Sequence, residues 1–228
     1  MATVAAQPLS LRRWERWEPL TGLVFAFLFF VGQDVLAVRA PGENATAQKI
    51  SSFYADKGKY HELVIGKLLV VLSVLFFIWF VALLTSRLRA AEGEPGRLAR
   101  AAFGGGIASA IFLGSQTVVG TAIASSLSFA KLFRGGSVDP QLVRLLDGVA
   151  YSLLILALFG AAILVAATSI AARRASIFPR WLTASSLGIA IILIPAATVA
   201  PVGVALVALW SLVVSAVLFL EARDTGGR

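Results

Sequence analysis

Long apolar runs alternate with short polar stretches along this chain, and that alternation sets the elements. The runs are Leu20–Val38, Leu63–Leu84, Ala101–Ala124, Leu142–Ala167, Leu182–Thr198 and Val202–Leu220. Each is close to the ~20 residues a helix needs to cross ~30 Å of hydrocarbon. Backbone groups at that depth find no water, so every run is read as a helix. The expected fold class is all-α: a polytopic membrane bundle of six transmembrane helices. Only Pro195–Pro201 separates the last two, which makes a tight hairpin. The chain divides into an interfacial segment (1–19), a transmembrane domain (20–220, with an outer loop over 39–62) and a tail (221–228).

The polar stretches add two smaller elements. Before the first run, Leu11, Trp14 and either Trp17 or Glu18 share one side of a short helix, with Arg12, Arg13 and Arg16 around the rest. Trp and Arg so spaced suit the headgroup layer, as an anchor or a lipid sensor. Arg12-Arg13, the first run and Val38-Arg39-Ala40 together imitate a signal peptide. Gln33-Asp34 inside the run and Pro41 just after it favour a retained helix instead. In the outer loop, Asn44 can cap a helix in which Ile50, Phe53, Tyr54, Lys57 and Tyr60 recur at helical spacing until Gly58 breaks it. This amphipathic helix is expected on the outer surface, as a lid over a cavity or floating in the interface. Arg87–Arg100 reads as a solvated turn, and Asp139-Pro140 suits the start of the fourth helix.

Composition agrees with a bilayer protein. Hydrophobic residues make up 58% of the 228, charged residues only 14%, and mean hydropathy is +0.87, whereas a soluble domain carries about 25% charged residues. No cysteine is present, which removes disulfides, iron–sulfur ligation and thiol nucleophiles. One histidine, His61, cannot supply paired axial imidazoles or a multi-histidine metal site, so neither metal nor cofactor is expected. Twelve Lys/Arg fall on the side of the N-terminal segment, the second and fourth loops and the tail, against seven on the other side. By the positive-inside rule both termini are expected in the cytoplasm, with the chain in the plasma (inner) membrane. The net charge of +8 is thereby explained, and because the arginines flank spans no nucleic acid is expected. Membrane lipids are the expected partners.

Ionisable residues inside spans are costly and are read as functional candidates. Asp34 and Lys67 each sit about one turn inside the outer ends of consecutive, antiparallel helices, which makes them the expected ion pair. Asp147 lies at similar depth in the fourth span, near Arg144 and Tyr151. With Gln33, His61 and Glu62 these residues outline a polar pocket opening outward. An alternative gives the charged pair a strut's role, Lys67 snorkelling along its alkyl stem. Gln116 belongs to the only midplane polar cluster. In the third span Gly106, Ala110 and Gly114 recur every four residues, a spacing that lets helices approach closely and packs that span centrally. The same face could bind a second copy or a partner subunit. No Gly-x-Ser-x-Gly elbow, HExxH or nucleotide-binding loop is present. A prenyl-lipid isomerase or cyclase, needing only a buried acid and aromatic walls, remains an alternative, with Phe25, Phe27, Phe29, Phe30, Phe76, Phe77, Trp79 and Phe80 as the aromatic supply.

The layout, with Ala45-Thr46-Ala47-Gln48-Lys49-Ile50 before the second span and Phe178-Pro179-Arg180-Trp181-Leu182 at the fifth, resembles six-helix membrane proteins of unassigned activity from high-GC actinobacteria. The resemblance implies a six-span fold in the plasma membrane and brings no catalytic residue. Three readings follow: a protein that binds or translocates a small amphiphile or ion through the outer pocket, an accessory subunit packing through the third span, or the lipid-modifying enzyme.

Overall fold

The computed structural model describes residues 17–37, 40–41, 45–130 and 138–225. Every element formed by these residues is helical. α1 (Thr21–Phe30) runs into a π-turn over Val31–Leu36, and α2 (Ala47–Ala55) follows. Then come α3 (Lys57–Glu92), α4 (Arg97–Gly120), the short α5 (Ala122–Ser125) and α6 (Pro140–Ala175). α7 (Arg180–Ala196) and α8 (Ala200–Thr225) complete the chain. Five helical stretches are long and apolar enough to cross a membrane: Glu18–Leu36, Lys57–Glu92, Arg97–Gly120, Pro140–Ala175 and Arg180–Glu221. The interfacial helix expected around Trp14 and the cap expected from Asn44 lie outside the described residues.

The last of the five is 42 residues long, yet it folds back on itself. The Trp210 indole N–H donates to Ser186 Oγ at 2.9 Å across 24 residues, whereas a straight helix would hold them about 36 Å apart. The bend is a 3₁₀ turn at Ala197–Val199, after Pro195 in the final turn of α7. Tyr151 on α6 clasps it: its hydroxyl donates to the Thr198 carbonyl (3.0 Å) and accepts from the Ala200 N–H (3.3 Å).

The long helices close a ring in chain order, α1 against α3, α3 against α4, α4 against α6, α6 against α7, α7 against α8, and α8 back against α1. Side chains fill its centre. The Phe25 and Phe77 rings lie 4.7 Å apart, tilted by 40°, and Phe80 meets Trp210 edge-on at 6.1 Å. The void left between Phe25, Phe77, Leu113, Leu158 and Val207 measures only about 10 Å³, room for one water at most.

Two local expectations change. The outer helix starts at Thr46, whose hydroxyl accepts from the Lys49 N–H, and it stops at Asp56 rather than Gly58. Asp56 leaves helical geometry and caps α3 by accepting from the Gly58 and Lys59 N–H groups. A short acceptor side chain at an N-cap outweighs the helix-breaking tendency of the glycine inside the first turn. α2 also does not float free. Ile50 packs with Ile123, Val138 and Val143, and Phe53 with Ala37, Leu63 and Ala124, so the helix is seated on the bundle. Asp139 does start α6, accepting from the Gln141 N–H at 2.8 Å with Pro140 at the first position.

α4 packs closely on two faces. Gly106 and Ala110 of the expected stripe are used, a Cβ on Gly106 falling 2.5 Å from Val81 Cγ1 of α3, while backbone meets backbone on the adjacent face. A Cβ on Gly105 would lie 2.7 Å from the Gly160 carbonyl oxygen, and one on Gly160 would lie 2.6 Å from the Ser109 nitrogen. The α4–α6 seam therefore runs along Gly105 and Ser109, one position back from the expected stripe. Gly106 faces Val81 of α3, Ala110 is buried, and Gly114 has open space beside it. The stripe expected from periodicity thus packs through Gly106 and Ala110, and the backbone contact through Gly105 lies beside it. Gly160→Ala should lower the thermal midpoint in detergent, at a cost of about 1–3 kcal/mol for forcing backbones apart. Gly114→Ala should leave it unchanged or raise it slightly, since alanine is the better helix former. Equal losses from the two substitutions would place the seam elsewhere.

Candidate functional site

The site grows out of a second glycine crossing. A Cβ on Gly32 would fall 2.5 Å from the Gly66 carbonyl oxygen, and one on Gly66 would fall 2.6 Å from the Gly32 carbonyl oxygen. Here the π-turn after α1 and the first third of α3 touch backbone to backbone. The residue after each glycine is polar: Gln33 and Lys67. The Lys67 ammonium donates to Gln33 Oε1 at 2.7 Å, and the lysine is only 9% exposed.

This corrects the expected Asp34–Lys67 pair. The two residues form no ion pair, and Asp34 is exposed. The π-turn, closed by i→i+5 bonds instead of i→i+4, holds Gln33 toward α3 and turns the next residue outward. Asp34 reaches the ammonium only through space, and the charge of Asp147 acts on it more strongly. Asp147, half-buried on α6, also faces α2, where Tyr54 is largely buried. Burial, and then the charge of Asp147, push the Tyr54 phenol up to about 12. Gln33, Asp34, Lys67 and Asp147 are thus gathered as a group, with Tyr54 as the member that sequence reasoning left out.

The remaining expected members are placed elsewhere. His61 is exposed, its Nδ1 2.7 Å from the Lys57 carbonyl oxygen, and its ring stacks on Tyr60 at 4.9 Å. Glu62 lines a groove of about 380 Å³ with Lys49, Asp56 and Lys59, between α2 and the start of α3. Gln116 accepts from its neighbour Thr117 at 3.0 Å. Arg144 donates to the Ala45 carbonyl at 2.8 Å, tying the start of α6 to the lead-in of α2, and Tyr151 is committed to the α7–α8 bend. Arg144 and Tyr151 are therefore struts within the bundle.

The aromatic residues divide as well. Phe25, Phe29, Phe77 and Phe80 pack into the core, while Phe27, Phe30 and Trp79 are exposed. They do not wall a chamber. The signal that could have found the site is the doubled dipeptide, Gly32-Gln33 and Gly66-Lys67, at matched depth in neighbouring antiparallel spans. The π-turn itself leaves no mark in composition or periodicity.

Two measurements check this geometry. In a double-mutant cycle, Gln33→Leu and Lys67→Met should couple by about 0.6–1.7 kcal/mol, the range for hydrogen bonds between membrane helices. Asp34→Asn should couple to Lys67→Met by less, and the reverse order would restore Asp34 as the partner. Separately, tyrosinate absorbance in a Tyr60→Phe/Tyr151→Phe background should titrate near 12. Asp147→Asn should bring that midpoint down, because an anion beside the phenol opposes its ionisation. Burial should still hold it above the ordinary ~10. An unmoved midpoint would separate Asp147 from Tyr54.

Comparison of the chain with protein-family models, with curated proteins and with solved structures finds no match.

Proposed function

We propose that this chain is an integral protein of the plasma membrane that binds or moves a small ion or amphiphile at the polar site around Lys67. In this reading the chain crosses six times, with both termini in the cytoplasm. The folded-back Arg180–Glu221 stretch counts as two spans, and the twelve-to-seven division of Lys/Arg sets the direction.

The observation that carries the functional part is the burial of Lys67 against Gln33 at the π-turn. An ammonium has three donors, and a neutral amide balances none of its charge. Asp147 and Asp34 stand around it on separate elements. With one ammonium and two carboxylates, the group offers both donor and acceptors to a small ion or to the polar head of an amphiphile. The closed ring argues for a binding step rather than an open conduit, since its middle is packed with Phe25, Phe77 and Leu158. Translocation then requires the helices to shift. The π-turn, whose looser hydrogen bonding recurs at functional sites, is where α1 can give way. Neither alternative gains a comparable observation: Gly106 and Ala110 are already used inside the chain, and the core aromatics enclose no chamber.

The test uses native mass spectrometry of the purified protein, paired with proteoliposomes reporting proton, potassium and chloride flux. Wild type should retain a small ligand or support a flux, and Lys67→Met should reduce it by about tenfold or more, the equivalent of ~1.4 kcal/mol of lost interaction. Thermal unfolding of each variant establishes that it is folded. A folded Lys67→Met that matches wild type in both assays would overturn the reading, as would a wild type with neither ligand nor flux.

A further inference from the structure

At the opposite end from Lys67, two adjoining hollows of about 450 and 770 Å³ lie along α6 and α7. Arg173, Thr183 and Ala184 line both. Arg174 borders the smaller and Arg180 the larger, so three guanidinium-bearing residues surround the groove and no carboxylate lines it. The ion pairs among the described residues, Lys59–Asp56 and Arg89–Glu94, lie elsewhere. Of the three arginines, Arg174 also acts on Glu92 across the loop. Glu92 itself accepts from the Leu98 and Ala99 N–H groups at the start of α4.

The groove is a built feature. Ser169 Oγ donates to the Thr183 carbonyl at 2.6 Å, pinning α6 to α7 beneath it. The chain turns between the helices at Ser176, which adopts left-handed geometry (φ 53°) that a residue with a Cβ seldom accepts. Pro179 then starts α7 without a side-chain cap, which leaves the first N–H groups of that helix unclaimed by any side chain. Away from the arginines the smaller hollow continues along Ile170 and Leu187, both inside apolar spans. Trp181 is exposed beside Arg180, the usual neighbour of an arginine at headgroup level.

Charge at one end, hydrocarbon at the other, and an open side toward the bilayer together describe one kind of occupant. We propose that this groove binds an anionic phospholipid, its phosphate between Arg173 and Arg180 and an acyl chain along Ile170 and Leu187. Basic recesses between transmembrane helices favour anionic headgroups through the same chemistry. Soluble phosphate would use the arginines alone and gain nothing from Ile170 and Leu187, so the lipid is the better complement. On the proposed orientation the groove opens to the cytoplasmic leaflet, where anionic lipids give a negative surface potential.

The full-length protein, delipidated in detergent, can be titrated with phosphatidylglycerol, with phosphatidylcholine of the same acyl chains, and with inorganic phosphate. Retention is read by native mass spectrometry and stabilisation by thermal unfolding. Wild type should retain phosphatidylglycerol about tenfold or more over phosphatidylcholine. R173Q/R180Q should lose that preference by about 10- to 30-fold, as expected for two basic contacts, with its lipid-free midpoint unchanged. R173K/R180K, which keeps the charge, should retain most of it, and this guards against a folding defect in the glutamine variant. Equal retention of the two lipids, or an undiminished preference in R173Q/R180Q, would overturn the proposal. Stabilisation by inorganic phosphate equal to that by phosphatidylglycerol would overturn it too, by assigning the groove to a soluble anion.

Discussion

Helices in a bilayer gain little by hiding apolar surface from one another, because lipid tails are as apolar as leucine. What holds them is contact, and contact is closest where no Cβ intervenes. In this chain two such places fix the arrangement. Gly105 and Gly160 let α4 and α6 meet backbone to backbone at the ring's most extensive seam, and Gly32 and Gly66 do the same for the end of α1 and α3. The second crossing is also what puts Gln33 within 2.7 Å of Lys67. Widen it by one methyl group and the amide no longer reaches. The polar site is therefore a consequence of helix packing.

Most polar side chains in the spans answer a local need. Ser73, Thr85, Thr117, Thr121 and Ser211 each donate to a carbonyl three or four residues back in the same helix, the ordinary way a hydroxyl is satisfied in a helix interior. Among the described residues others bond across elements: exposed Arg144, at the start of α6, reaches the Ala45 carbonyl, and four pairs lie between the helices. Trp210–Ser186 and Tyr151–Thr198 hold the α7–α8 hairpin, Ser169–Thr183 holds α6 to α7, and Lys67–Gln33 joins α3 to the π-turn. Three of these join neutral groups and account for themselves as joints. The fourth carries a charge, and a joint needs none.

How much of this could be read beforehand depends on the range of the interaction. Long apolar helices follow from summed hydropathy over some twenty residues, and the start of α6 at Asp139-Pro140 follows from capping chemistry within three, so both were legible. The end of α2 was missed by two residues, because the cap offered by Asp56 competes with the breaking tendency of Gly58 and composition does not rank them. Asp34 against Gln33 could not be decided from sequence at all. Periodicity assumes a constant rotation per residue, and the π-turn changes that rotation where the choice is made. The same limit explains why Gly105 escaped the expected stripe although Gly106 beside it packs against α3. A helical wheel locates a face to within a residue or so, while a backbone contact is a matter of a single residue.

The energetics of Lys67 bear on why it is present. Placing a lysine within a span costs up to about 2.5–3.5 kcal/mol on insertion scales, less near the boundary. A hydrogen bond to glutamine inside a membrane returns about 0.6 kcal/mol on average. The through-space attraction of Asp147 and of exposed Asp34 has to supply the rest, and an apolar residue of similar length would avoid the cost altogether. Buried charges replaced by well-packed apolar groups are often neutral or better for stability. Lys67 is thus a poor device for holding α3 against α1, especially beside the Gly32–Gly66 crossing, which already does so without charge. Its position is better explained by something the ammonium does than by something it supports.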